Sequence, residues 1–126
     1  MKEAEAAYQE ALDLRRQLAK ASPATYQPDV AETLNNLAIL ELQTKNPLRA
    51  QADVEEALNI NRELWKVNPA VLGDNLARSL MIDVMVLSSA QRPPSELFSL
   101  VREAESVSHD PKLKKAAADK ETEFCV

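Results

Sequence analysis

The stretch AQADVEEALNINRELWKVNPA, residues 50–70, decides the fold, because much of it stands earlier as AEAAYQEALDLRRQLAKASPA, residues 4–24. Glu10-Ala11-Leu12 returns as Glu56-Ala57-Leu58, Arg16 as Arg62, Leu18 as Leu64, Lys20 as Lys66 and Pro23-Ala24 as Pro69-Ala70. The match extends outward, with Ala4 and Ala6 at Ala50 and Ala52, Ala31 at Ala77 and Leu34 at Leu80, always 46 residues apart. A fixed period of this length marks stacked helix pairs, each of which needs its neighbours to bury its apolar faces. It argues for a binding scaffold and against a catalytic domain.

Composition agrees with an all-α chain. Alanine, leucine, glutamate, lysine and glutamine dominate, all strong helix formers, while glycine occurs once and aromatics are 4% of the residues. A sheet-rich fold would need more β-branched and aromatic residues and more turn glycines. At 126 residues one domain is expected, large enough to bury roughly two-thirds of its unfolded surface. The net charge of −5 disfavours a nucleic-acid partner, since phosphate backbones need a concentrated basic surface. The nearest candidates, Arg15-Arg16 and the Lys112, Lys114, Lys115 cluster, have acids close by. A single cysteine, Cys125, leaves neither an internal disulfide nor a cysteine-rich metal site. No apolar run follows a basic start, so no secretory signal is expected, and none reaches membrane-spanning length. A cytoplasmic protein is expected, with no membrane partner and no cofactor.

Periodicity and punctuation predict five or six helices. The first covers about residues 2–21, with Ala4, Ala7, Tyr8, Ala11, Leu14 and Leu18 on one face. Ser22-Pro23 ends it, because the residue before proline is pushed out of the α region. The second starts near Pro28-Asp29 and runs to about Thr44, apolar on two sides as a sandwiched helix is. Asn46-Pro47 opens the third, about 47–67, which buries Ala50, Val54, Ala57, Leu58 and Leu64. The fourth, about 74–89, carries the apolar run Met81–Leu87, read as a core helix, with a partly exposed docking patch as the alternative. Pro93-Pro94 breaks the chain before a fifth helix with Leu97, Phe98, Val101 and Ala104. A repeat domain over 1–109 is expected, followed over 110–126 by a short polar helix and a disordered tail beginning at Glu121.

Ala50, Val54 and Ala57, small residues seven apart around a bulkier one, resemble the second helix of a tetratricopeptide repeat. Leu34, Leu37 and Ala38 sit where that family places its apolar positions on the first helix. The segment Thr33-Leu34-Asn35-Asn36-Leu37-Ala38 looks like the repeats of kinesin light chains and related bacterial proteins, and Asn68-Pro69 supplies the closing proline. The period of 46 is longer than the standard repeat of about 34. The third unit is also degenerate, with Arg102, Glu103 and Ala104 where Glu-Ala-Leu is due. The resemblance implies antiparallel helix pairs stacked as a short right-handed solenoid.

In that family the first helix of each pair lines a concave groove for a peptide or partner helix. Carried over by position, the groove residues would be Glu32, Asn35, Asn36, Ile39 and Gln43, then Arg78, Met81, Ile82 and Met85. Asn36 matches an asparagine that bonds ligand backbone in peptide-binding relatives. An amide suits that task because it donates and accepts at once; the other reading is an asparagine pair facing solvent or capping local structure. Only Arg78 and Asn36 remain of a carboxylate clamp, so an amphipathic or extended segment is the better fit. The rival functions are assembly, through self-association of copies at the solenoid ends, or a regulatory arm of a larger protein. Trp65 reads as a packing anchor at a repeat junction.

Catalysis is not expected. The one histidine, His109, lies between Ser108 and Asp110 with no spare residues to build a nucleophile relay or metal site. Gly73 stands alone, so no glycine-rich phosphate loop exists. The glutamates at Glu3, Glu5, Glu10, Glu55 and Glu56 are spaced as solvated faces.

Overall fold

A computed structural model describes the backbone of residues 2–124 and the side chains of residues 3–120. Its elements, in order, are α1 (Lys2–Ala21), α2 (Pro23–Gln43), α3 (Pro47–Val67), α4 (Pro69–Ser89), α5 (Pro94–Val107) and α6 (Pro111–Phe124). No strand occurs among the described residues. Each helix packs on the next, and α2 also meets α4, as α4 meets α6. Thr44 near the end of α2 donates to Glu5 near the start of α1, 3.1 Å, while Arg15 near the end of α1 reaches the Asp29 carbonyl and Thr33 hydroxyl. These two helices are therefore antiparallel.

Two kinds of corner alternate, and both recur at the period seen in the sequence. At Ser22 (φ −140°, ψ 75°) and Asn68 (φ −143°, ψ 76°) one residue leaves the helix and proline restarts it at once. Proline forces its predecessor out of the α region and then sits where a missing N–H does no harm. The second kind carries a left-handed residue, Lys45 (φ 60°) or Gln91 (φ 59°). Around it Thr44, Lys45 and Asn46 bond back to Leu40, Leu42 and Glu41, as Ala90, Gln91 and Arg92 do to Val86, Ser88 and Leu87.

These corners correct two boundaries. The second helix begins at Pro23 and not near Pro28; the fourth begins at Pro69 and not at 74. Sequence punctuation was right about where helices stop but missed that the same proline starts the next one. Pro28 lies inside α2. It leaves the Ala24 carbonyl without its intrahelical donor in the exposed first turn, where water can serve. At the other end α6 is helical through Phe124, past the Glu121 at which disorder was expected. Cys125 lies outside the described residues.

The core is a row of three clusters with no single centre. Leu12, Ala19, Val30, Ala31, Leu34, Leu37 and Ala57 join α1, α2 and α3. Ala38, Ala50, Val54, Ile82 and Val86 join α2, α3 and α4. Leu58, Leu76, Leu80, Val84, Leu97, Val101 and Ala117, with others, tie α3 through α6. Ala50, Val54 and Ala57 are fully buried, the small residues letting α3 lie close on its neighbours.

Candidate functional site

The α2–α4 contact gathers most of the polar residues named from sequence. Arg78 of α4 donates to the Asn36 amide oxygen of α2, 3.4 Å, and both reach the surface. Beneath them Asn35 is 3% exposed and accepts from Ser79, 3.1 Å. Ser79 in turn accepts from Asn61 of α3, 2.8 Å, whose amide also donates to the Asn75 carbonyl, 3.3 Å. Asn61 is 2% exposed, and its Oδ1 is a buried acceptor without a partner. A cleft of about 310 Å³ opens over this chain, lined by Pro28, Asp29, Glu32, Asn35, Asn61, Asn75 and Arg78. Its walls carry acids on α2 and a guanidinium on α4.

The remaining candidates divide. Glu32 and Gln43 are exposed, Ile39 and Met81 are half-buried, and Met85 is 49% exposed beside an apolar hollow shared with Val84, Ser88 and Lys120. Ile82 is a correction: at 4% exposure it belongs to the cluster with Ala38, Ala50, Val54 and Val86 and offers nothing to a ligand. Asn35 contributes from the floor of the cleft and not from an open surface. The run Met81–Leu87 is mainly core, as Ile82, Val84 and Val86 are buried. Trp65 packs against the cluster around Leu58 and Leu76.

Asn61, Ser79, Asp29 and Asn75 were not singled out from sequence. Their signal lay in the repeat. Arg15 bonds the Thr33 hydroxyl and the Asp29 carbonyl as Asn61 bonds the Ser79 hydroxyl and the Asn75 carbonyl, with every residue 46 from its counterpart. On the outer side the pairing is similar but one residue out of register: Arg16 pairs with Glu56, and Arg62, 46 residues on, with Glu103, 47 from Glu56, both at 2.9 Å.

Two buried acids lie near this face. Glu41 is 2% exposed, and burial first, then the nearby Asp53 carboxylate, push its pKa up to about 8 against the pull of Arg49 at 3.3 Å. Asp83 is raised to about 6, by burial and then by the charge of Glu55, with Arg62 opposing. A neutral carboxyl costs far less to bury than a carboxylate.

Ser108, His109 and Asp74 do come together, but as a corner. One Asp74 carboxylate oxygen accepts from the His109 N–H (2.6 Å), the Asp110 N–H (3.1 Å) and the Ser108 hydroxyl (3.0 Å). The His109 amide is the main reason its pKa is lowered. The imidazole Nε2 lies 3.4 Å from the Pro69 carbonyl, away from the Ser108 hydroxyl's bonds. A relay needs the ring between hydroxyl and carboxylate. Among the described residues no group of three or more His, Cys, Asp or Glu is placed to hold a metal, and no helix is long and apolar enough to cross a membrane. Compared with known families and with curated proteins, the chain matches none.

Proposed function

We propose that this chain is a protein-interaction module of tetratricopeptide type, a short solenoid that holds an extended or helical segment of a partner along α2 and α4. The observation carrying this reading is the α2–α4 seam. Alternate helices meet there, and the cleft presents Glu32 and Arg78 at its rim over an Asn35–Ser79–Asn61 floor. Backbone amides of an extended segment offer donors and acceptors together, which an amide-lined floor matches. Ile39, Met81 and Met85 beside it supply apolar contact for alternate side chains. The recurrence of corners and cross-helix bonds at one period supports a solenoid of equivalent units.

The test is selection from a displayed random-peptide library, followed by titration of the enriched peptides. Arg78→Ala and Asn36→Ala should each weaken binding about tenfold or more, while Lys66→Ala on the outer side should not. No enrichment, or peptides indifferent to both groove variants, would overturn the reading.

A further inference from the structure

The cleft over the α2–α4 seam is net acidic, and its acids are unclaimed. Asp29 and Glu32 line it from α2, one helical turn apart. Among the described residues neither carboxylate takes a hydrogen bond or an ion pair. Glu41, Glu56 and Glu103, by contrast, each hold an arginine. On the floor, Asn61 directs its amide hydrogens to the Asn75 carbonyl and the Ser79 hydroxyl. Its Oδ1 is buried with no donor to neutralise it, and so adds partial negative charge beneath the two carboxylates. Arg78 is the one cation of the lining; it is exposed and turned to the Asn36 amide oxygen, 3.4 Å away.

The first unit shows which group suits this position. Arg15 stands 46 residues before Asn61, and its guanidinium reaches from α1 to the Asp29 carbonyl and the Thr33 hydroxyl of α2. Asn61 meets the corresponding two acceptors on α4 but brings less bulk and no charge, and the cleft of about 310 Å³ lies over it. We infer that this cleft is a socket for an arginine side chain of the bound segment, its guanidinium set against Asp29 and Glu32. The inference rests on the groove reading and names what the groove selects. A guanidinium presents five N–H donors in a flat fork that matches carboxylates, where an ammonium is a compact point charge. A metal ion does not fit, since among the described residues no three His, Cys, Asp or Glu are placed to hold one. Arg78, outside the pairing at the rim, is free to donate to a backbone carbonyl of the same segment.

Selection from a displayed random-peptide library tests this at the level of one side chain. The enriched peptides should share an arginine. Replacing it by citrulline, its neutral isostere, should weaken binding to the wild-type chain about tenfold or more. To the double variant Asp29→Asn, Glu32→Gln, both outside the core, the two peptides should bind alike, with helicity unaltered. Peptides that lose affinity with Asn36→Ala and Arg78→Ala, yet share no arginine or do not distinguish citrulline, would overturn the socket and leave the groove standing. If the library yields nothing, N-acetyl-arginine amide becomes the probe, followed by NMR of the side-chain amides. Saturable shifts at Asn35, Asn61 and Asn75, absent with the citrulline compound and in the double variant, would support the socket while the groove reading falls. No such shifts, or shifts that persist in the double variant, would overturn the socket as well.

Discussion

The unit α2–α3 and the unit α4–α5 start from one pattern and end differently. Both turn on the same corners, yet α3 has 21 residues and α5 has 14. Where the first unit has Gln27-Pro28 the second has Gly73-Asp74, and there the shortening is made. Asp74 caps the start of the last corner, while Gly73 lets the end of α5 lie directly on α4: a Cβ at this position would meet the Val107 carbonyl and the His109 ring. The facing positions diverge as well: Asn35, Asn36 and Leu37 correspond to Met81, Ile82 and Asp83, so two amides give way to apolar residues and a core leucine to a buried acid.

The sharpest way to break this comparison is one methyl group. Glycine within a helix costs about 1 kcal/mol against alanine, so Gly73→Ala would stabilise an ordinary helix. Here it should destabilise by about 3 kcal/mol, because overpacking against backbone forces α5 and the Asp74 cap to move. Gln27→Ala at the equivalent position should stay within about 0.5 kcal/mol. Urea unfolding of both variants decides it; a Gly73→Ala protein as stable as wild type would mean the corner is not pinned there.

A second test uses the acids, each of which stands where the other unit has leucine: Asp83 opposite Leu37, Glu41 opposite Leu87. Raised carboxyl pKa values favour the protonated form of the folded chain, so the folded state holds more protons than the unfolded one between the two values. Stability contributed by these groups is full at low pH and is lost as pH rises. For Asp83 the window runs from 3.8 to about 6, an effect of roughly 2–3 kcal/mol. For Glu41 it runs from 4.5 to about 8. Asp74 has the opposite sign: its lowered pKa gives stability present above 3.8 and lost as pH falls through the folded value. Asp83→Asn should reduce the fall of the denaturation midpoint between pH 4 and 6, and Glu41→Gln should reduce it from pH 4.5 to about 8. A midpoint that rises steadily from pH 4 to 8 in the wild type would show the assignment of sign to be wrong.

Helical class and period were legible because alanine spacing and proline punctuation both survive in the chain. Face assignment on α4 was not. That helix is apolar almost all round and lies among α2, α3, α5 and α6, so carrying the Asn36 position forward put Ile82 in the groove when packing puts it in the core. Asn61 was hidden for the opposite reason: an asparagine on an apolar face looks like noise until its counterpart Arg15 is seen making the same two bonds. The early starts of α2 and α4 were missed because a helix break and a helix start share one proline.

The left-handed corners give the smallest and cleanest measurement. Lysine and glutamine have no preference for positive φ, which is why Lys45 and Gln91 carried no signal, and each pays steric strain against its Cβ. Glycine relieves that strain but surrenders backbone entropy in the unfolded chain, so the net gain should be about 0.5–1 kcal/mol. Lys45→Gly and Gln91→Gly should raise the melting temperature by similar amounts, and the double variant by their sum, since the corners belong to different helix pairs. A gain at one corner and a loss at the other would mean that the shared dihedrals conceal unequal strain, and that the two units are less alike than their backbones.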